Sequence, residues 1–281
     1  MRIAIASGKG GTGKTTVAVN LALSLEDARL VDCDVEEPNC HLFLGCDMEH
    51  VCDVTVKTPV IDENACTLCG ECALVCQYHA LAALPSRVVL FESLCHGCGG
   101  CSLVCPAGAI SERDRAIGRV ERSTGPGLSF YHGLLDVGEA TAARVISALK
   151  ETVDAATATA VSIYDAPPGT ACPMMETVQG CDYCVLVTEP TPFGLHDLRI
   201  AIQVVKHLGI PFGVVINRHG SGDEAVTQYC MSESIPIILR IPQDRRIAEL
   251  YSTGTPFSLA LPEWPERFRC LAGRIAQEVG A

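Results

Sequence analysis

Short apolar runs recur along the chain, each followed by a longer segment whose apolar residues return every three or four positions. Ile3–Ala6 is the first run and Ala28–Cys33 the second. Between them, Thr15–Leu25 places Val17, Leu21 and Leu25 on one side of a helix. Glu139–Val153 is predicted helical, with Ala140, Ala143, Val145, Ile146 and Leu149 available for burial. Val161–Ala166, Cys184–Glu189, Phe212–Asn217 and Ile235–Ile241 are strand-type runs, each followed by helix or turn. Trp264–Val279 is predicted helical, with Phe268, Leu271 and Ile275 on one side. Its polar residues are mixed in sign, which favours packing on its own sheet over a basic membrane-bound tail. Apolar strands without polar alternation are buried on both faces, so the pattern predicts an α/β fold with a mostly parallel, doubly wound sheet.

This rhythm breaks in the middle of the chain. Eight cysteines fall in two matching runs, Cys66-x2-Cys69-x2-Cys72-x3-Cys76 and Cys95-x2-Cys98-x2-Cys101-x3-Cys105-Pro106. Three closely spaced thiolates wrap one iron–sulfur cubane, and the fourth reaches across to the other. The spacing therefore predicts two [4Fe–4S] clusters, one on Cys66, Cys69, Cys72 and Cys105, the other on Cys95, Cys98, Cys101 and Cys76. The competing readings are zinc and disulfides, and zinc sites rarely repeat a four-cysteine cadence. A small ferredoxin-like α+β domain is thus expected as an insertion over residues 60–115, bounded by Thr58-Pro59 and the charged stretch Ser111–Arg115. Residues 1–59 and 116–281 would form the surrounding α/β domain.

The first strand runs directly into Gly8-Lys9-Gly10-Gly11-Thr12-Gly13-Lys14-Thr15-Thr16, a match to the phosphate loop of P-loop NTPases, G-x-x-x-x-G-K-[ST]. Glycines there let backbone N–H groups form an anion nest. Lys14 would reach the β- and γ-phosphates, Thr15 would place its hydroxyl on Mg²⁺, and the following helix would point its amino end at the phosphates. ATP and Mg²⁺ are the cofactors this predicts.

Composition narrows the setting. A hydrophobic content of 48% supplies a large core, yet no apolar run approaches membrane-spanning length, so no stable membrane insertion is expected. The start, MRIAIASGKGG, lacks a signal-peptide layout, and a cytoplasmic location is expected. The formal net charge of −12 argues against nucleic-acid partners and favours proteins with basic docking faces.

Lys9, directly after the loop's first glycine, resembles the deviant Walker A of the MinD/ParA superfamily, a group that also resembles the nitrogenase iron protein and the Mrp-type ATPases. There the extra lysine reaches the nucleotide of the facing subunit, so the resemblance implies an ATP-dependent homodimer; the alternative is a lysine near its own phosphates. Val31-Asp32-Cys33-Asp34 through Asn39 resembles the family's switch I, which implies that Asp34 positions the attacking water. Asp165-Ala166-Pro167-Pro168-Gly169-Thr170 is similar to Walker B and switch II, implying Asp165 on Mg²⁺ and a Gly169 N–H on the γ-phosphate. Val214–Arg218 resembles the base-reading strand end, with Asn217 on the adenine and Arg218 beside it. Ile241-Pro242-Gln243-Asp244 resembles the loop that closes over the base. The resemblance spans nearly the whole chain, its nearest subgroup being MinD-superfamily ATPases with an inserted two-cluster ferredoxin domain.

Cys172 lies seven residues after Asp165, where the nitrogenase iron protein places a bridging-cluster ligand. The stretch expected to supply a second ligand, Gly125-Pro126-Gly127-Leu128 through Gly138, has no cysteine, so structural packing is the favoured reading of Cys172. Cys181 and Cys184 form a C-x2-C, but Cys184 opens a buried strand. His96 is read as a solvated or hydrogen-bonding residue, and Gln77 stands where proline usually follows the fourth cysteine. The leading expectation is an ATP-hydrolysing iron–sulfur protein that couples nucleotide state to electron transfer or to docking of a redox or client protein. A cluster carrier and a MinD-like positioning ATPase with structural clusters are the alternatives.

Overall fold

The structure, a computed structural model, describes residues 1–125, 127–157, 159–220 and 222–280. β1 (Arg2–Ala6) passes through the phosphate loop into α1 (Lys14–Leu23), which is followed by β2 (Ala28–Asp32) and the short α2 (Cys40–Leu44). The long β3 (Glu49–Ile61) leads to the cysteine unit. That unit contains α3 (Glu71–Val75), a small hairpin of β4 (Leu81–Ala83) and β5 (Val88–Leu90), a 3-10 turn at Glu92–Leu94, and α4 (Gly100–Val104). β6 (Ile110–Gly125) returns the chain to β7 (Leu128–Leu135). Then α5 (Ala142–Ala155), β8 (Val161–Asp165), α6 (Cys172–Val178), β9 (Tyr183–Thr188), α7 (Pro192–Leu208), β10 (Phe212–His219), α8 (Glu224–Ser232) and β11 (Ile237–Pro242) alternate. The chain closes with α9 (Arg245–Ser252), α10 (Phe257–Ala260) and α11 (Trp264–Val279). Among the described residues no helix is long and apolar enough to cross a membrane.

One nine-stranded sheet runs in the order β11-β10-β9-β1-β8-β2-β7-β6-β3. All its pairings are parallel except those of β6 with β7 and β3. Successive residues of a strand face opposite sides, so both sides need helical cover. Ala4 and Ala6 lie in one core with Val145, Ile146 and Leu149 of α5 and Leu198 and Ile202 of α7. Ile3 and Ile5 lie in the other with Val17 and Leu21 of α1 and Phe268, Leu271 and Ile275 of α11. The carboxy-terminal helix therefore does pack on its own sheet. α5 differs from expectation: it starts at Ala142, and its buried stripe is Ala142, Val145, Ile146, Leu149 and Val153, with Ala140 exposed.

The larger departure is at the β3 edge. Ser111–Arg115, read from sequence as a boundary, lies inside β6, while Thr58 and Pro59 lie inside β3 opposite Arg113 and Glu112. The stretch from Gly125 to Gly138, compared from sequence with the segment that supplies a second bridging ligand, is largely β7, paired with β2 on one side and β6 on the other; Pro126 lies outside the described residues. β6 meets β7 only from Gly118 onward, whereas β3 and β6 stay paired out to Ile61 and Ile110. Beyond a register shift at Val54/Thr55 the two strands leave the sheet as a two-stranded ribbon. Val56, Thr58 and Pro59 of β3 are buried there, whereas Ser111–Asp114 of β6 are all exposed, so charged residues cluster on β6 and its sequence looks like a loop.

Candidate functional site

The carboxyl ends of β1, β2, β8, β9 and β10 gather the phosphate-loop residues and the carboxylates named from sequence at one edge of the sheet, the usual ligand edge of an open α/β sheet. Gly11 and Gly13 hold φ of 76° and 90°, the left-handed region glycine tolerates. A side chain on Gly13 would collide with the Asn217 amide, and one on Gly8 with the Asp197 carbonyl of α7. Lys14 is 7% exposed, and Thr12 is buried, its hydroxyl without a partner among the described residues. The Thr15 hydroxyl donates to Asp165 Oδ2 at 2.6 Å. Gly10, Gly11 and Thr16 belong to the same loop and first turn. The Gly169 N–H donates to the Ser7 carbonyl at 3.2 Å, closing the segment after Asp165 onto the loop's base.

Three acids share this edge. Asp32, which the sequence reading left without a role, is fully buried. Its Oδ2 accepts from the N–H groups of Asn39 and Cys40, both at 2.9 Å, and Oδ1 from that of Asp34 at 3.1 Å. Burial raises its pKa against the pull of those N–H groups. Burial, then the Asp32 charge, pushes Asp165 up to about 7, with Lys14 and the Thr15 hydroxyl opposing. The same two causes bring Asp34 to about 6. Among the described residues, buried Asp165 Oδ1 has no hydrogen-bond partner. A thiol is also present: Cys40 Sγ lies 3.6 Å from Asp165 Oδ2. Such a cradle, with a hydroxyl, an orphaned carboxylate oxygen and the Lys14 ammonium, fits a divalent cation with a polyphosphate.

Lys9 Nζ sits 3.9 Å from Glu189 Oε2, and Arg218 holds the same carboxylate at 2.6 Å. Asn217 donates to the Thr12 carbonyl at 2.8 Å and accepts from the Arg218 N–H at 2.9 Å, so its side chain braces the phosphate loop. Pro242 stands opposite His219 at the ends of β11 and β10.

At the ribbon's far end the two cysteine runs repeat in three dimensions. Gly70 and Gly99, at φ 81° and 73°, precede α3 and α4. The N–H groups of Ala80 and Ala109 donate to Cys76 Sγ and Cys105 Sγ, each at 3.3 Å. Cys76 lines one cavity together with Cys95, Cys98 and Cys101. Cys66, Cys69, Cys72 and Cys105 stand at the matching positions of the repeat. Among the described residues no three of the eight sulfurs lie within 4.8 Å of one another. His96 stacks on Tyr78 with ring centroids 3.6 Å apart. Cys172 is exposed at the start of α6, while Cys181 and Cys184 are buried.

Fold and phosphate-loop site together define a P-loop ATPase. The model of the CobQ/CobB/MinD/ParA nucleotide binding domain matches residues 3–257, and the chain belongs to that family. An uncharacterised protein of Methanocaldococcus jannaschii is 31% identical over 261 residues, covering 92% of this chain and 91% of its own. An iron-sulfur cluster carrier protein of the same organism is 23% identical over 306 residues, covering 99% and 84%. The septum site-determining protein MinD of Pyrococcus horikoshii, solved with Mg-ADP, superposes with a TM-score of 0.61 at 20% identity, over 99% of this chain and 97% of that one.

Proposed function

We propose that the protein is a Mg-ATP-hydrolysing homodimer whose inserted unit, on the β3–β6 ribbon, holds two [4Fe–4S] clusters, and that nucleotide state controls electron delivery to a protein partner. The observation that carries the cluster reading is the meeting of Cys76, from the first run, with Cys95, Cys98 and Cys101 of the second around one cavity. N–H groups on Cys76 Sγ and Cys105 Sγ suit thiolates, whose charge they stabilise. When bound, the clusters supply single-electron transfer.

In the ATPase site, Lys14 would sit on the β- and γ-phosphates, Thr15 and Asp165 would hold Mg²⁺, and Asp34 would orient the attacking water. Gly169 would have to exchange the Ser7 carbonyl for the γ-phosphate. Lys9 would leave Glu189 to reach the facing subunit's nucleotide, and Asn217, Arg218 and Pro242 would border the base. Burial of Asp34 and Asp165 beside Asp32 favours cation binding, because an added positive charge relieves their repulsion.

A chain of contacts supports coupling between the two sites. Switch II runs into α6, whose last carbonyls, on Glu176 and Thr177 and on Gln179 just beyond, accept from Lys150 of α5. Just before α5, Glu139 pairs with Arg115 of β6. Arg115 also donates to the Glu92 carbonyl at 3.0 Å, the carbonyl that accepts the Cys95 N–H. A shift of switch II thus has a packed route to a candidate cluster ligand. The test is EPR of the dithionite-reduced protein alone, with Mg-ATP and with Mg and a non-hydrolysable analogue. Nucleotide-dependent signals are expected, and identical spectra in all three states would remove the coupling. The cluster carrier is the second reading, favoured by the name of the relative above; it predicts transfer of a cluster to an apo-protein.

A further inference from the structure

Asp32, Cys40 and Asp165 bring three ligand atoms within 4.8 Å of one another, all on buried side chains. Phosphate loops use Mg²⁺, a hard cation that selects oxygen and has no use for sulfur. Here a thiol stands at the cation end of the pocket. Its 3.6 Å contact with Asp165 Oδ2 matches the edge of about 3.5 Å expected when one thiolate and one carboxylate oxygen share a tetrahedral zinc-sized ion. A second observation points to a ligand independently: Asp165 Oδ1 is buried and accepts no hydrogen bond from the described residues. Asp32 keeps its orientation through three backbone N–H groups, so it is preorganised rather than mobile.

We propose that Cys40, Asp32 and Asp165 form a site for a thiophilic divalent cation of the Zn²⁺ or Fe²⁺ class, which competes with Mg-nucleotide because both need Asp165. Binding replaces the Cys40 S–H bond with a metal–sulfur bond and releases the proton to solvent, with no change of oxidation state. The ATPase is then held off when such a metal is in excess and released when Mg-nucleotide displaces it. The inference rests on the nucleotide-pocket reading of Asp165 and is independent of what the cysteine unit holds.

The test is an anaerobic Co²⁺ titration of the protein as isolated, read in the near-ultraviolet thiolate-to-cobalt charge-transfer band. The wild type is compared with Cys40→Ser and with Cys172→Ser, whose thiol is exposed and outside the site. Iron content and Mg-ADP binding are measured on the same samples, so that failure of the nucleotide reading shows separately. One equivalent of band is expected in wild type and Cys172→Ser, displaced by Mg-ADP. In Cys40→Ser the Co²⁺ affinity should fall at least about tenfold, since even indirect partners of a metal are worth about 10- to 100-fold. Equal titrations of wild type and Cys40→Ser, or a band that Mg-ADP leaves unchanged, would overturn the proposal.

Discussion

Replacing Arg115 by Gln should loosen the joint between the ATPase sheet and the cysteine unit. The Arg115 and Glu139 side chains are 13% and 12% exposed, so water does little to compensate either when its partner goes. Breaking a buried pair from one side costs about 3–5 kcal/mol. Both groups keep some solvent and Gln retains a donor, which places this case near the lower end, at about 3 kcal/mol. At about 2 °C per kcal/mol for a chain of this size, the thermal midpoint should fall by about 6 °C. Glu139→Gln should cost a similar amount. The double variant should cost clearly less than the two together, because the second substitution removes the charge the first left stranded. Calorimetry of the four proteins measures this, and iron content shows whether each variant holds the proposed clusters. Where iron is retained, the nucleotide dependence expected of the EPR signal should weaken in Arg115→Gln. Strict additivity, or a single-variant loss below about 0.5 kcal/mol, the range of an ordinary surface change, would refute the reasoning.

Four further outcomes are expected. Gly13→Ala should abolish nucleotide binding in equilibrium dialysis, because φ is 90° and the new methyl meets the Asn217 amide; retained binding would contradict the geometry. Cys76→Ser should remove the same EPR signal as Cys98→Ser, and Cys105→Ser the same signal as Cys69→Ser; pairing by run instead would reject the crossed ligation. Asp165 and Asp34 have folded-state pKa values raised to about 7 and about 6 from 3.8. Their share of the stability of the nucleotide- and metal-free protein is therefore complete below pH about 4 and lost as pH rises through about 6 to 7. Urea unfolding in chelator should show that loss, and Asp165→Asn should flatten it; an unchanged profile would count against the shifts. Glu189→Gln removes the carboxylate that holds Lys9 and should raise the ATP-dependent dimer fraction in light scattering, whereas a lower fraction would argue against a restraint.

The phosphate loop and the cysteine cadence could be read without coordinates because both are local. Each depends on a few residues whose spacing along the backbone sets the geometry, as with Gly13, Lys14 and Thr15, or with Cys95, Cys98 and Cys101. The parallel core was legible for a similar reason, since burial on two faces leaves an unbroken apolar signature in runs such as Ile3–Ala6. β3, β6 and β7 were not legible as strands. Their pairing sets the polarity pattern, and the exposed run Ser111–Asp114 of β6 carries charges where solvent allows them. Asp32 and Cys40 were hidden differently: they lie eight positions apart, Asp165 is far along the chain, and only the neighbouring of β2 and β8 brings all three together. Arg115 takes its meaning from Glu139 and the Glu92 carbonyl, contacts that exist because the ribbon crosses the start of α5. Sequence specifies chemistry wherever ligands are neighbours in the chain, whereas long-range strand pairing decides which distant charges and thiols must share a buried space.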